Sequence, residues 1–428
     1  MVVKFTLLLA FAVTAVSARK APNADYVKGF FQAHPESRYS SNIEEDMELD
    51  APGLVAKYGY PIEVHTIETS DGYILEAHRI PHGRDQNNDS SVKRPVVFIM
   101  HGLLSSSADF IVLGPGNALS YLLAEAGYDV WLGNARGNYY SRNHRSLDPD
   151  ANGVLQNFWR FSWDEIGNHD LPAFIDYILE KTGQEKLHYI GHSQGGTTFL
   201  VLNSLRPEYN QKFLSFQGLA PAAYFYHNEV SLFQTLAPME SHIESTAFVM
   251  GQAEIFGQND FVEWFQRNFC NEEPSEIFET LCETDILSGL KDREYYNTTM
   301  LPLFRAHAPA GASVRQVAHY GQTIRFEAFR RYNYNPAQNR IVYGSINPPA
   351  YDLKKITAPV YLHYGLSDHE VHYKDLLLLA ETLPNVVGVY KVERDSFNHY
   401  DFIWGIDVRH QLYERTLIPL LKEIDGRQ

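Results

Sequence analysis

Beyond its first eighteen residues the 428-residue sequence has no apolar run long enough to cross a bilayer, which takes about 20 residues as a helix. A membrane-spanning helix is therefore not expected in the body of the chain. Basic residues are also short, with 36 Lys and Arg against 52 Asp and Glu, for a formal charge of −16. Nucleic acid and anionic membrane surfaces would both repel such a chain, so neither is an expected partner. The sequence has no repeat of fixed period and no low-complexity tract. It has no glycine-rich phosphate loop either, so no nucleotide cofactor is implied. Only two cysteines occur, Cys270 and Cys282.

What is present starts with a compartment. Lys4 precedes an apolar run from Phe5 to Val16, and Val16-Ser17-Ala18 offers small residues for cleavage before Arg19. That is the three-part pattern of a secretory signal peptide, expected over 1–18. In an oxidising compartment the expected state of Cys270 and Cys282 is a disulfide, the alternative being two independent buried thiols. Closing so short a loop would contribute about 3 kcal/mol in the chain-entropy view. The sequons at Asn88 and Asn297 agree with secretion, each weakly by itself.

The remaining length suits one large α/β domain with an inserted subdomain, and 44% apolar residues allow a sizeable core. Val64 to Thr69 and Tyr73 to Ile80 read as a hairpin around Ser70-Asp71-Gly72. Pro95 to His101 is a continuous apolar run, as for a strand buried on both faces. A helix from Asn117 to Ala126 and a strand from Tyr128 to Leu132 follow. Ser162-Trp163-Asp164-Glu165 is a capping box opening a helix that runs to Thr182, with Gly183 closing it. Leu187 to Ile190 is a short strand, followed by a helix from Gln194 to Arg206 that Pro207 ends. Val360 to Tyr364 and Val386 to Val392 supply two later strands. Alternation of this kind implies a mainly parallel, twisted sheet covered on both sides. Residues 222–350 break the rhythm and are expected to form a helical cap inserted into a core made of 19–221 and 351–428. Within that insertion Phe256, Phe261, Trp264, Phe265 and Phe269 follow mixed three- and four-residue spacings, which suits either the cap's own core or a lipid-facing surface.

Gly191-His192-Ser193-Gln194-Gly195 matches G-x-S-x-G, the only such pentapeptide in the chain. Its setting at the end of a strand and the start of a helix is that of a nucleophile elbow, in which a strained turn lifts the serine hydroxyl clear of the sheet. A serine hydroxyl is a poor nucleophile at its own pKa and needs a base and a group that orients the base. In this arrangement the acid and then the histidine follow later strands. Asp368 follows Val360 to Tyr364, and His399 follows Val386 to Val392, so these two are the expected partners of Ser193. Asp395 and Asp401 compete for the acid role but flank the histidine loop and would orient it only by folding back, while His192, on the elbow itself, and His363, inside a strand, fit packing or structural positions better than the base. His101-Gly102-Leu103-Leu104 lies where an oxyanion loop belongs, so the expected donors are the backbone N–H groups of Leu103 and Gln194. His369-Glu370-Val371-His372 resembles a zinc motif with its histidines one residue too close, so no metal is expected there.

At these residues the sequence resembles the acid lipase family of animals, which includes gastric and lysosomal lipases and many insect relatives. The resemblance rests on Tyr58-Gly-Tyr-Pro61, Asp71-Gly-Tyr-Ile-Leu-Glu76, His101-Gly-Leu-Leu-Ser-Ser106, the stretch from Ala126 to Asn138, Gly191 to Gly195, His307 to Ser313 and Asn398 to Trp404. It implies an α/β-hydrolase fold, a Ser193–Asp368–His399 triad, an oxyanion hole at Leu103 and Gln194, and no cofactor. It also implies a cap disulfide falling on Cys270 and Cys282, and a neutral lipid or ester substrate met at a lipid–water interface. The rival readings are a soluble carboxylesterase for small esters and a non-catalytic lipid carrier, which an intact triad in the right order argues against.

Overall fold

A computed structural model describes residues 43–151, 155–227, 240–255, 257 and 295–426. The expected signal segment at 1–18, Cys270, Cys282 and the five aromatic residues from Phe256 to Phe269 lie outside the described residues.

The first two strands, β1 (Glu63–Glu68) and β2 (Tyr73–Ile80), form the expected antiparallel hairpin, with Glu63 opposite Arg79 and Glu68 opposite Ile74. Next come β3 (Val96–Met100), β4 (Asp129–Gly133), a two-residue β5 (Asn143–His144) that pairs with β2, and β6 (Leu187–His192). Every residue of β3, β4 and β6 is buried, as strands covered on both faces require. β7 (Phe213–Leu219) follows, then the isolated pair β8 (Glu254–Ile255) and β9 (Ala312–Ser313), then β10 (Val360–Tyr364) and β11 (Val386–Lys391). The main sheet runs β1-β2-β4-β3-β6-β7-β10-β11, parallel from β4 to β11. This is the α/β-hydrolase architecture that the alternating pattern predicts. All the parallel strands deliver their carboxyl ends to one edge, and the chemistry-bearing loops are gathered there.

Two features depart from the sequence reading. β7 lies between β6 and β10, where no strand is expected from the sequence. Its Ser215 and Gln217 break the apolar run, yet both are fully buried and bonded to histidines on the neighbouring strands. The helix opened by the Ser162 capping box is present, but it passes through a π-helical stretch, Ile166–Asp170, before its regular part, Leu171–Thr182. Pro172 has no N–H to give and its ring crowds the preceding turn, which a widened turn relieves. Gly183 ends the helix in the left-handed conformation, as expected.

Between β7 and β10 the described residues form the helices Glu240–Met250, Leu301–His307, Val314–Phe326 and Pro336–Tyr343. Among the described residues no helix is long and apolar enough to cross a membrane, and none of their acidic, histidine or cysteine side chains gather in threes as a metal site would need.

Candidate active site

Ser193 occupies the single position between β6 and the helix Gln194–Leu205, with φ 50° and ψ −116°. A non-glycine residue holds such a backbone only where its surroundings impose it. Here the Ser193 N–H donates to Leu219 O at 2.9 Å, and its carbonyl accepts from Gly196 N at 2.9 Å and Thr197 N at 3.2 Å. Gly195 lets the turn pass beneath β3, because a Cβ there would lie 2.2 Å from the Met100 carbonyl oxygen. His192 and Gln194 are buried, whereas Ser193 is only partly so.

The two loops after β10 and β11 meet beside this turn. His399 Nδ1 lies 2.8 Å from Asp368 Oδ2. The other carboxylate oxygen, Oδ1, accepts from Glu370 N at 3.0 Å and Val371 N at 2.7 Å. A carboxylate so engaged is an acceptor only, so the imidazole places its proton on Nδ1 and leaves Nε2 free to act as a base. Burial opposes charging of His399, but the Asp368 charge and hydrogen bond, with Glu370 behind them, raise its pKa above the ordinary imidazole value. The loops pack without a gap: a Cβ at Gly365 would lie 2.1 Å from the Phe397 carbonyl oxygen.

The competing acids are occupied elsewhere. Asp395 is exposed and pairs with Lys391 at 2.6 Å. Asp401 is buried, 3.1 Å from Arg394, and accepts from the backbone N–H of Asn398 at 2.7 Å, so it shapes the histidine loop from the far side. His363 lies inside β10 with Nε2 2.9 Å from Gln217 Oε1, and burial pushes its pKa down to about 3.

On the other side of Ser193 runs the loop after β3. A Cβ at Gly102 would lie 3.3 Å from the Ser193 Cβ, so Leu103 begins its turn directly beside the serine. Gln194 is the first residue of its helix, where a backbone N–H has no acceptor within the helix. The loop is held by His101, which burial keeps neutral with its pKa pushed down to about 4. Its Nε2 accepts from Ala135 N at 3.1 Å, so Nδ1–H donates to Gly102 O at 2.7 Å. Ala135 is in turn fixed by Arg136, which is buried between Asp170 and Asp71 and stacked 3.9 Å from the Tyr73 ring.

Comparison with known proteins identifies the family. Residues 52–114 match a partial alpha/beta-hydrolase lipase region, and residues 95–406 match the alpha/beta hydrolase fold. Lipase 1 of Drosophila melanogaster is 42% identical over 402 residues, spanning 92% of this chain and 84% of that protein. Human gastric triacylglycerol lipase is 36% identical over 397 residues, spanning 92% and 94%. Human lysosomal acid lipase/cholesteryl ester hydrolase is 33% identical over 378 residues, spanning 88% and 91%. This chain belongs to the animal acid lipases.

The lipase carries three further features that the sequence does not reveal. The Gln194 side chain donates from Nε2 to Gln316 Oε1 at 2.7 Å, tying the elbow to the helix Val314–Phe326. Asp109, buried beneath the loop after β3, accepts from the Ser105 hydroxyl, and burial pushes its pKa up to about 7. A bonded serine–histidine–aspartate array stands toward the amino ends of β6 and β7. There Ser215 Oγ lies 2.8 Å from His188 Nδ1, and His188 Nε2 lies 3.0 Å from Asp425 Oδ1. Ser215 and His188 are both wholly buried. Of the two sequons, Asn88 is exposed, whereas Asn297 is buried with its Oδ1 accepting from the Thr299 hydroxyl at 2.7 Å.

Proposed function

We propose that this lipase hydrolyses carboxylic esters of neutral lipids, triacylglycerols or sterol esters, by two-step acyl transfer at Ser193, Asp368 and His399. The observation that carries the reading is the His399–Asp368 bond beside a strained serine elbow. In the first step His399 Nε2 takes the Ser193 proton as Oγ bonds to the ester carbonyl carbon. The backbone N–H groups of Leu103 and Gln194 receive the oxyanion. The C–O bond to the alcohol breaks, and the alcohol leaves with the proton from His399. Water then attacks the acyl-enzyme by the same route, giving the fatty acid and restoring Ser193. The substrate class follows the names of the human gastric and lysosomal relatives.

In this reading residues 222–350 form a cap over a core of 19–221 and 351–428, and the cap adapts the enzyme to aggregated substrate. Each apolar side chain moved from water into lipid would stabilise an open form by roughly 1.5–3 kcal/mol, so a few side chains suffice to shift its population. The rate on a medium-chain glyceride is expected to rise more steeply once substrate passes its solubility limit. A smooth saturation curve across that limit, with the best activity on soluble short-chain esters, would instead favour the carboxylesterase reading.

The same proposal makes the protein secreted, cleaved after Ala18, with Cys270 and Cys282 joined and a glycan on Asn88 before Asn297. Asn88 is favoured because a glycosyl acceptor must be reachable. Mass spectrometry of the unreduced protein from the medium reads all of this at once. The expected result is an N-terminus at Arg19 and a cross-linked cysteine peptide pair. A retained leader with two alkylatable thiols would overturn it.

A further inference from the structure

The residue just before the nucleophile is a histidine that the reaction above does not use. His192 is buried, and its Nε2 lies 3.1 Å from the backbone carbonyl oxygen of His399. A carbonyl only accepts, so the proton on this ring is on Nε2. Nδ1 has no hydrogen-bond partner and faces the loop after β3, where a Cβ at Gly102 would lie 3.4 Å from it. The His192 and His399 rings lie 4.7 Å apart at 38°, and the Phe402 ring packs on His192 at 6.1 Å. One side chain of the elbow therefore touches both the oxyanion loop and the histidine loop. Burial, the nearby His399 and His101 all hold the His192 pKa well below the usual imidazole value, so it does not compete for the proton that His399 carries.

We propose that His192 is a positioning residue that locks the His399 loop onto the nucleophile elbow through its Nε2–H bond to the His399 carbonyl. The inference rests on the reading of Ser193 and His399 given above. The carbonyl bond fixes the His399 main chain from the elbow side. From the other side the loop is fixed by Asp401 on the Asn398 N–H and by the Tyr296 hydroxyl, which donates to Asn398 Oδ1 at 2.8 Å. With the main chain held at both points, the ring keeps one path between Asp368 and the serine. The charged or titratable groups facing His399 are Asp368, Glu370 and His192 itself.

The test compares His192→Phe, which keeps a ring but loses the donor, with His192→Gln, whose side-chain amide can donate in place of Nε2–H. A soluble short-chain ester is the substrate, so cap behaviour at an interface does not enter. His192→Phe is expected to lower kcat by about 10–100-fold with KM changed less than about threefold, since misplacement of a reacting group costs rate rather than binding. The acid limb of kcat/KM is expected to move to lower pH, because a loosened His399 loses contact with the carboxylate that raises it. His192→Gln should recover most of both effects. A folded His192→Phe enzyme with wild-type kcat and an unmoved acid limb would overturn the proposal, as would a folded His192→Gln no better than the Phe variant. If His192→Phe fails to fold, His192→Gln is set against His192→Asn, whose shorter amide falls short of the carbonyl. Gln must then exceed Asn by about tenfold in kcat, and equality refutes the proposal. Ser193→Ala separates the two levels: activity surviving in that variant removes the underlying reading, whereas its loss beside an unimpaired His192→Phe removes this inference alone.

Discussion

Ser193→Ala is expected to reduce ester hydrolysis by about 10⁴-fold or more while the protein folds normally. The size of the loss follows from what remains. In the proposed mechanism the backbone N–H groups of Leu103 and Gln194 are untouched, as are His399 and Asp368, but no oxygen is left to form the acyl-enzyme. The fold should not suffer, because the bonds that impose the Ser193 backbone are all main chain: to Leu219 O, and from Gly196 N and Thr197 N. Alanine meets the same left-handed strain as serine, so the substitution adds none. The measurement is kcat on a soluble ester together with the thermal midpoint of the variant. Near-normal turnover in a folded Ser193→Ala protein would end the serine-hydrolase mechanism.

Asp368→Asn should be nearly as damaging, on the order of 10⁴ in kcat, for a reason visible in its hydrogen bonds. Oδ1 accepts from two backbone N–H groups, of Glu370 and Val371. In an asparagine the carbonyl oxygen must keep that side, which turns the amide NH2 toward His399 Nδ1. That nitrogen then becomes an acceptor and the imidazole proton moves to Nε2, the nitrogen that has to receive the serine proton. The ring stays in place with its proton on the wrong atom. Asp395→Asn, at an exposed pair with Lys391, should remain within a few-fold of wild type, as isolated surface ion pairs contribute little. Asp401→Asn should lower the thermal midpoint by disturbing Arg394 and the histidine loop, with a smaller loss of kcat than Asp368→Asn. A crippled Asp395 variant beside an active Asp368 variant would reassign the acid.

Much of this was legible because the relevant signals are local. The elbow announces itself by a glycine on either side of a serine, and both glycines prove to sit where a Cβ would collide with main chain. The run of β3 is apolar throughout, and that of β4 from Val130 to Leu132, because both faces are covered. The capping box at Ser162 and the glycine stop at Gly183 appear as expected. β7 escaped because its polar side chains are satisfied by partners far away in sequence. Ser215 is bonded to His188, and Gln217 to His363, and no window along the chain shows that match. Asp401 was visible only as a rival acid, since its partner Arg394 and the turn between them take shape only in three dimensions. His192 was assigned to packing for a similar reason, as nothing in the pentapeptide points to a carbonyl 207 residues away.

Beside the Ser193 turn His399 is bonded to Asp368, and toward the other ends of the parallel strands Ser215, His188 and Asp425 are bonded in line. They differ in access. Ser193 stands on a turn that opens at the edge of the sheet, whereas Ser215 and His188 are sealed between β6 and β7, with Tyr128 donating to the carboxylate of Asp425 at 3.0 Å. In the sealed array the same three residue types act as a rivet, fastening the end of the helix Ile418–Ile424 to the sheet. A hydroxyl that no ester can reach, however well aligned, only holds its neighbours in place.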